Sequence, residues 1–258
     1  MFASLHSAFH TARQAIMPVL KESAFFKEGV LTPDEFIIAG DQLISSQRTW
    51  KWRSGEVKKA FLPPDKQFLI LTIASCRERV SGFQEGNNIQ EVEEEGDWIS
   101  SGEDRSKIDE YADIDDDVDP AVAQIMAADN STVMGAGIEV RRYEVSIVYD
   151  NYYRTPRVYL KGYGSSGCTL GPIEMMEDIV QDYAGKTATM ETHPHLPSDG
   201  AYISIHPCRH AETMKRILEG VAGDNMKAIP TVESYLFFFL KFIASMIPTI
   251  EYDYTYSV

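Results

Sequence analysis

The sequence predicts an α+β fold, a four-stranded antiparallel sheet flanked by helices, with one long acidic insertion. Three observations carry the expectation. Residues 50–53, 68–74, 141–147 and 157–163 either alternate apolar with polar side chains or run continuously β-branched and apolar, as strands do. Stretches beginning near residues 32, 172, 208 and 231 repeat apolar residues at the helical period. Residues 81–137 show no sustained period, and low hydrophobicity with like-charge repulsion predicts disorder there.

In chain order, Phe2, Leu5, Phe9, Ala12 and Ile16 form one apolar helical stripe, opposite the mild face of Ser4, Ser7, Thr11 and Gln14. The continuous apolar run of a secretory signal is absent. Such a helix either docks on a core or lies in a membrane's headgroup region, where weak charge leaves apolar insertion as the driving force. Pro18 ends or kinks it. Thr32, Pro33 and Glu35 spell an N-cap, an N1 proline and a capping box. The helix they open runs to about Ser46 and buries Phe36 and Leu43. Trp50 and Trp52 alternate with Lys51 and Arg53, and 68–74 reads as a central strand with Cys76 as a core residue at its end.

The net charge is −15 over 258 residues. Between positions 83 and 130 sixteen acids face only Arg105 and Lys107, so this stretch holds nearly all of it. The acidic balance argues against nucleic-acid binding. It leaves the rest of the chain near neutral, able to approach a membrane. Trp98, Tyr111 and Ile114 are out of place in a mere spacer, as is the apolar run at 121–128.

Beyond the insertion, Tyr143, Val145 and Ile147 alternate with polar neighbours, Asp150-Asn151 marks a turn, and 157–163 alternates again. Residues 172–185 read as a helix with Ile173, Met176, Ile179 and Val180 as its stripe. Thr187 to Met190 reads as a short strand before a proline-rich loop. Residues 231–246 are apolar all round, the mark of a buried helix, and Pro248 stops it.

The chemistry gathers at His206-Pro207-Cys208-Arg209-His210. Behind it Ala211, Met214, Leu218 and Val221 make an amphipathic stripe, and Pro207 suits the first helical position. Cys208 then sits among unpaired N–H groups at the positive end of a helix dipole, where a thiolate gains donors. Three cysteines, Cys76, Cys168 and Cys208, form no even set, which points to free thiols. Cys208 also admits other readings: a small core hydrophobe, or a zinc ligand with His193, His195, His206 and His210. The HxH and HxCxH spacing lacks the second cysteine pair of a closed structural zinc site, so no metal and no cofactor is expected.

HPCRHAETMKRI at 206–217, YLFFFLKFIASMIPTIEYDYT at 235–255, LTPDEFIIAGDQLI at 31–44 and TWKW at 49–52 resemble the autophagy E2-like conjugating enzymes, the Atg3 family. The resemblance runs along the whole chain apart from the middle. It implies an E2 core, like that of ubiquitin-conjugating enzymes. Cys208 would accept an Atg8-type ubiquitin-like protein as a thioester from an Atg7-type E1 and pass it to the amine of phosphatidylethanolamine. The implied organisation is a membrane helix at 1–20, with Phe2, Leu5, Phe9 and Ile16 inserting, and a catalytic core at 21–258. The flexible insertion 81–137 and a helical appendage at about 165–200 interrupt that core. The insertion would recruit the E1 through Trp98 and residues 121–128. Tyr111 and Ile114, flanked by acids, resemble the short motif that docks on Atg8-type proteins by adding a strand and filling two pockets. The Atg12–Atg5 conjugate is a further partner by the same resemblance. The implied location is cytoplasmic and peripheral on autophagic membranes.

Ordinary ubiquitin-conjugating enzymes place an Asn shortly before the cysteine, whereas here His206-Pro207 leads straight to Cys208. Another group must then steady the oxyanion. Thr187 is the candidate, and backbone N–H groups of the Cys208 turn are the alternative. Two other classes compete with the transferase: a cysteine hydrolase pairing Cys208 with His193, His195 or His210, and a non-catalytic membrane adaptor with a structural Cys208.

Overall fold

The computed structural model describes residues 17–81, 140–223 and 230–253. Helices α1 (Phe25–Glu28) and α2 (Pro33–Ser46) precede strands β1 (Trp50–Arg53) and β2 (Phe68–Cys76). Beyond the insertion come β3 (Arg141–Asp150), β4 (Thr155–Tyr163), helix α3 (Pro172–Met176), β5 (Ala188–Thr192) and β6 (Ala201–Ile205). Helices α4 (His210–Ala222) and α5 (Tyr235–Ala244) and a two-residue strand β7 (Ile250–Glu251) follow. The strands form one antiparallel sheet in the order β1-β2-β3-β4-β6-β5, with β7 pairing β2 where β1 has ended.

The α+β class and the antiparallel sheet agree with the sequence reading, but the strand number does not. Among the described residues the sheet has seven strands rather than four. Residues 202–205 of β6 are buried on both faces, and five residues are too few for their alternation to stand out. Strand β7 is too short to carry a period. A second correction concerns 172–185. The helix ends at Met176, and the chain continues in three-residue turns, Asp178 N–H to Met175 O and Ile179 N–H to Met176 O. The cause is Asp178. It is fully buried, with Oδ2 accepting from Arg141 Nη1 at 3.0 Å and from the Tyr143 hydroxyl at 2.5 Å, while Arg79 lies 3.5 Å from Oδ1. Arg79 and Arg141 flank the insertion, so one carboxylate holds both of its stems.

The main core lies under α2, α4 and α5, where Phe36, Leu43, Met214, Leu218, Leu236, Phe239 and Leu240 meet Leu69, Val145, Ile147 and Leu160 of the sheet. The α2 capping box is formed as expected, Glu35 N–H to Thr32 Oγ1 at 3.1 Å and Thr32 N–H to Glu35 Oε2 at 2.8 Å. A smaller core covers the opposite face of the sheet and contains Phe68, Ile70, Val148, Tyr159, Leu196 and Tyr202. Gly29 has φ +70°, and a Cβ there would lie 2.0 Å from the Ala211 carbonyl oxygen of α4. Only glycine lets α1 close onto the helix behind Cys208. No described helix is long and apolar enough to cross a membrane.

Candidate active site

Strand β6 delivers the chain to the site. It pairs with β4 at Tyr159↔Ser204 and with β5 at Ala188↔Ile205, and the ladder extends one step further where His206 N–H donates to Thr187 O at 2.7 Å. Residues Pro207–Arg209 then make a single 3-10 turn, with Pro207 at its first position, before α4 begins at His210. A proline cannot continue the ladder and is pre-shaped for a helical start, so strand becomes helix at this point. Cys208 is exposed on that turn. The reading of Cys208 as a small core residue therefore fails.

His206 caps the turn. Its Nδ1 accepts the Cys208 amide hydrogen at 3.3 Å. With Nδ1 the acceptor, the neutral ring carries its hydrogen on Nε2, and this nitrogen lies 3.4 Å from the Tyr153 hydroxyl. The rings of Tyr153 and His206 meet edge to face, with centroids 5.3 Å apart. The Cys208 N–H is thus engaged. Thr187 Oγ1 is buried and has no hydrogen-bond partner among the described residues.

The other histidines do not converge on Cys208. His193 and His195 are fully buried in the smaller core. His193 Nε2 lies 3.1 Å from Ser146 Oγ and its Nδ1 accepts the His195 N–H, while His195 Nδ1 donates to Val57 O at 2.7 Å and its ring stacks on Phe68. Burial pulls His193 down to about 3, with the neighbouring His195 adding to the effect, and pulls His195 down to about 4. His210 donates Nδ1–H to Pro156 O at 3.0 Å, sits between Phe239 and Phe242, and is lowered by burial to about 4. Three neutral rings held by other partners are poor bases for a cysteine hydrolase. Among the described residues no group of three or more His, Cys, Asp or Glu is placed to hold a metal ion.

Cys76 is fully buried at the end of β2, as expected of a core residue, and burial, then the Asp178 charge, push its thiol up to about 11. Cys168 is exposed on the loop after β4. Phe2, Leu5, Phe9 and Ile16, and likewise Trp98, Tyr111 and Ile114, lie outside the described residues. Met17, directly behind the predicted apolar stripe, is described. Its carbonyl accepts from Asn151 Nδ2 at 3.0 Å, at the β3–β4 turn that also carries Tyr153.

Sequence reasoning missed Tyr153 and the role of His206. The signal for the first lay in Asp150-Asn151, since an Asp opening a turn folds its carboxylate back onto the next amides. Asp150 Oδ1 accepts from the N–H groups of both Tyr152 and Tyr153.

A family model described as "Autophagocytosis associated protein, active-site domain" matches residues 35–254. Along nearly its full length the chain is similar to curated proteins named Autophagy-related protein 3. It is 38% identical to that of Arabidopsis thaliana, covering 97% of this chain and 95% of the relative. For that of Schizosaccharomyces pombe the identity is 34%, with 99% of both covered. For that of Dictyostelium discoideum it is 31%, with 98% and 96% covered.

Proposed function

The chain belongs to the Autophagy-related protein 3 family and is an E2-like conjugating enzyme of autophagy, and from that premise we propose that Cys208 is the residue on which it carries its cargo. The single observation that supports this most is the setting of the thiol: exposed, on a three-residue turn between β6 and α4, with its own amide held by His206. An acyl carrier needs a sulfur that solvent, donor enzyme and acceptor amine can all reach.

The cargo is an Atg8-type ubiquitin-like protein, received as a thioester from an Atg7-type E1 with ATP spent by that enzyme. In transfer, the amine nitrogen of phosphatidylethanolamine forms a bond to the thioester carbonyl carbon. The C–S bond breaks, its electron pair leaves on the Cys208 sulfur, and the proton shed by the nitrogen passes to solvent. Thr187 steadies the oxyanion of the tetrahedral intermediate. Its backbone tie to His206 keeps it close to the cysteine turn.

A lipid amine stays at the bilayer surface, so the enzyme must work there. Residues 1–20 are the anchoring helix in this reading, inserting through Phe2, Leu5, Phe9 and Ile16. The bond between Asn151 and Met17 supports it, because the chain leaves that segment beside the cysteine turn. Residues 21–258 are the E2-like core, with the sheet and α4 around Cys208 as its conjugating part and about 165–200 as an appendage. The insertion 81–137 recruits the E1 through Trp98 and engages Atg8-type proteins through Tyr111 and Ile114. The Atg12–Atg5 conjugate is a further partner, and the enzyme works in the cytoplasm as a peripheral protein of autophagic membranes.

Reconstitution tests the reading. With E1, an Atg8-type protein, ATP and phosphatidylethanolamine liposomes, the native chain should form an adduct sensitive to reducing agent and then lipidated product. Cys208→Ala should form neither. An adduct on Cys208→Ala would sink the assignment.

A further inference from the structure

The β3–β4 turn is built more firmly than a connection requires. Asp150 Oδ1 accepts the amide hydrogens of Tyr152 at 2.9 Å and Tyr153 at 3.1 Å. Arg154 closes the turn at φ 59° with its N–H on Asp150 O at 2.7 Å. Asp150 is almost fully buried, and its other oxygen lies 3.8 Å from Arg157 Nη1. Arg157, also buried, reaches onward to Ser204 Oγ of β6 at 2.7 Å and to Glu191 of β5 at 2.6 Å. One buried ion network therefore fixes the turn against the strand that leads into Cys208. A left-handed non-glycine residue and a buried ion group are both costly, and the turn they hold presents the Tyr152–Tyr153 pair as well as the contacts of Asn151 and Arg154 to Met17 and Leu31.

From that platform Tyr153 reaches His206, and His206 reaches Cys208. We propose that Tyr153 is a positioning residue for acyl transfer: its hydroxyl holds the His206 ring, and the ring's Nδ1 holds the Cys208 amide, so that the phenol sets how the cysteine turn presents the thioester. The inference rests on Cys208 being the thioester residue. The hydrogen bonds run in one direction, Cys208 N–H to His206 Nδ1 and His206 Nε2–H to Tyr153 Oη. Burial, and then the charge of Cys208, push the Tyr153 hydroxyl up to about 12, so it stays a phenol at neutral pH. A lone 3-10 turn has poor internal hydrogen bonding and moves easily unless its ends are held. The demand on geometry is greater in transfer than in charging. A free or lipid amine must reach the carbonyl by diffusion, and small misplacements of reacting groups cost large factors in rate.

The test loads full-length protein with an Atg8-type protein through E1 and ATP, quenches the E1, and follows discharge to free ethanolamine and to phosphatidylethanolamine vesicles. Native chain is compared with Tyr153→Phe, His206→Asn and the double variant, each checked for a native melting temperature. His206→Asn keeps an acceptor for the Cys208 N–H and removes the partner of Tyr153. Discharge to both amines should slow about 10-fold in each single variant, and by more than charging slows. The double variant should be no slower than His206→Asn alone, because both changes break one link. Native discharge by Tyr153→Phe, equal losses in charging and discharge, or losses that multiply in the double variant would each overturn the proposal. A native chain that takes no adduct, or one that forms on Cys208→Ala, fails the cysteine assignment and takes this proposal with it.

Discussion

The carbonyl of Thr187 accepts the amide hydrogen of His206 at 2.7 Å, which ties a threonine at the foot of β5 to the residue two before Cys208. The Cys208 N–H is already given to His206, while Thr187 Oγ1 is buried and has no partner among the described residues. A buried hydroxyl left in that state is costly, and the proposed oxyanion is the group that would complete it.

Thr187→Val should therefore keep the thioester and slow its discharge, on the order of 10–100-fold, as the loss of one oxyanion donor does. Thr187→Ser should retain most of the rate. Single-turnover discharge of the preloaded protein measures both. Near-native transfer by the valine variant would remove Thr187 from the mechanism.

Leu5→Asp should leave loading of Cys208 unchanged and abolish transfer to phosphatidylethanolamine in vesicles, since a charge on the apolar stripe opposes insertion. Discharge to soluble ethanolamine should persist. If loading and both discharges fell together, the segment would be part of the fold rather than an anchor.

Acid should destabilise the protein well before its carboxylates titrate. His193, His195 and His210 are lowered to about 3, 4 and 4, chiefly by burial. As pH falls below about 6.5, the unfolded chain takes up these protons and the folded one does not. The stability is thus complete above that value and is lost progressively from about 6.5 down to about 4 for His195 and His210 and to about 3 for His193, at up to ~1.4 kcal/mol per pH unit for each ring. Guanidinium midpoints at pH 7.5, 6.5 and 5.5 measure the slope. His210→Gln should reduce it by about a third.

Asp178→Asn should cost about 3–5 kcal/mol, because it removes the shared partner of buried or half-buried Arg79, Arg141 and Tyr143. Urea unfolding should show a lower midpoint at unchanged slope. The same substitution should loosen both stems of the insertion, read as faster amide exchange around residues 79–81 and 140–143. A midpoint within experimental error of native would make the cluster energetically idle.

Much of the molecule was legible in its residues because the signals are local. Thr32, Pro33 and Glu35 define a helix start from three positions, and the strands at 143–147 and 157–163 declare themselves by alternation, one face against the helices. Pro207 and the stripe behind Cys208 mark where strand gives way to helix, although the thiol sits on the 3-10 turn just before the helix cap at Arg209 rather than in the helix's first turn. These depend on neighbours within a few residues, which a one-dimensional pattern records. The rest depended on partners distant in the chain. Only the fold shows that Asp178 cuts a helix short by turning inward to Arg79 and Arg141, that β6 is a strand although buried on both faces, and that His193 and His195 belong to a core on the far side of the sheet. The fold also makes His206 the cap of Cys208 and brings Tyr153, fifty-three positions away from it, against its ring. Backbone propensity and amphipathic spacing act within a turn or two of chain, so the sequence alone determined most of the elements and singled out Cys208 as the candidate nucleophile. Burial and side-chain pairing act across the sheet, so only the tertiary structure decided which groups surround that cysteine.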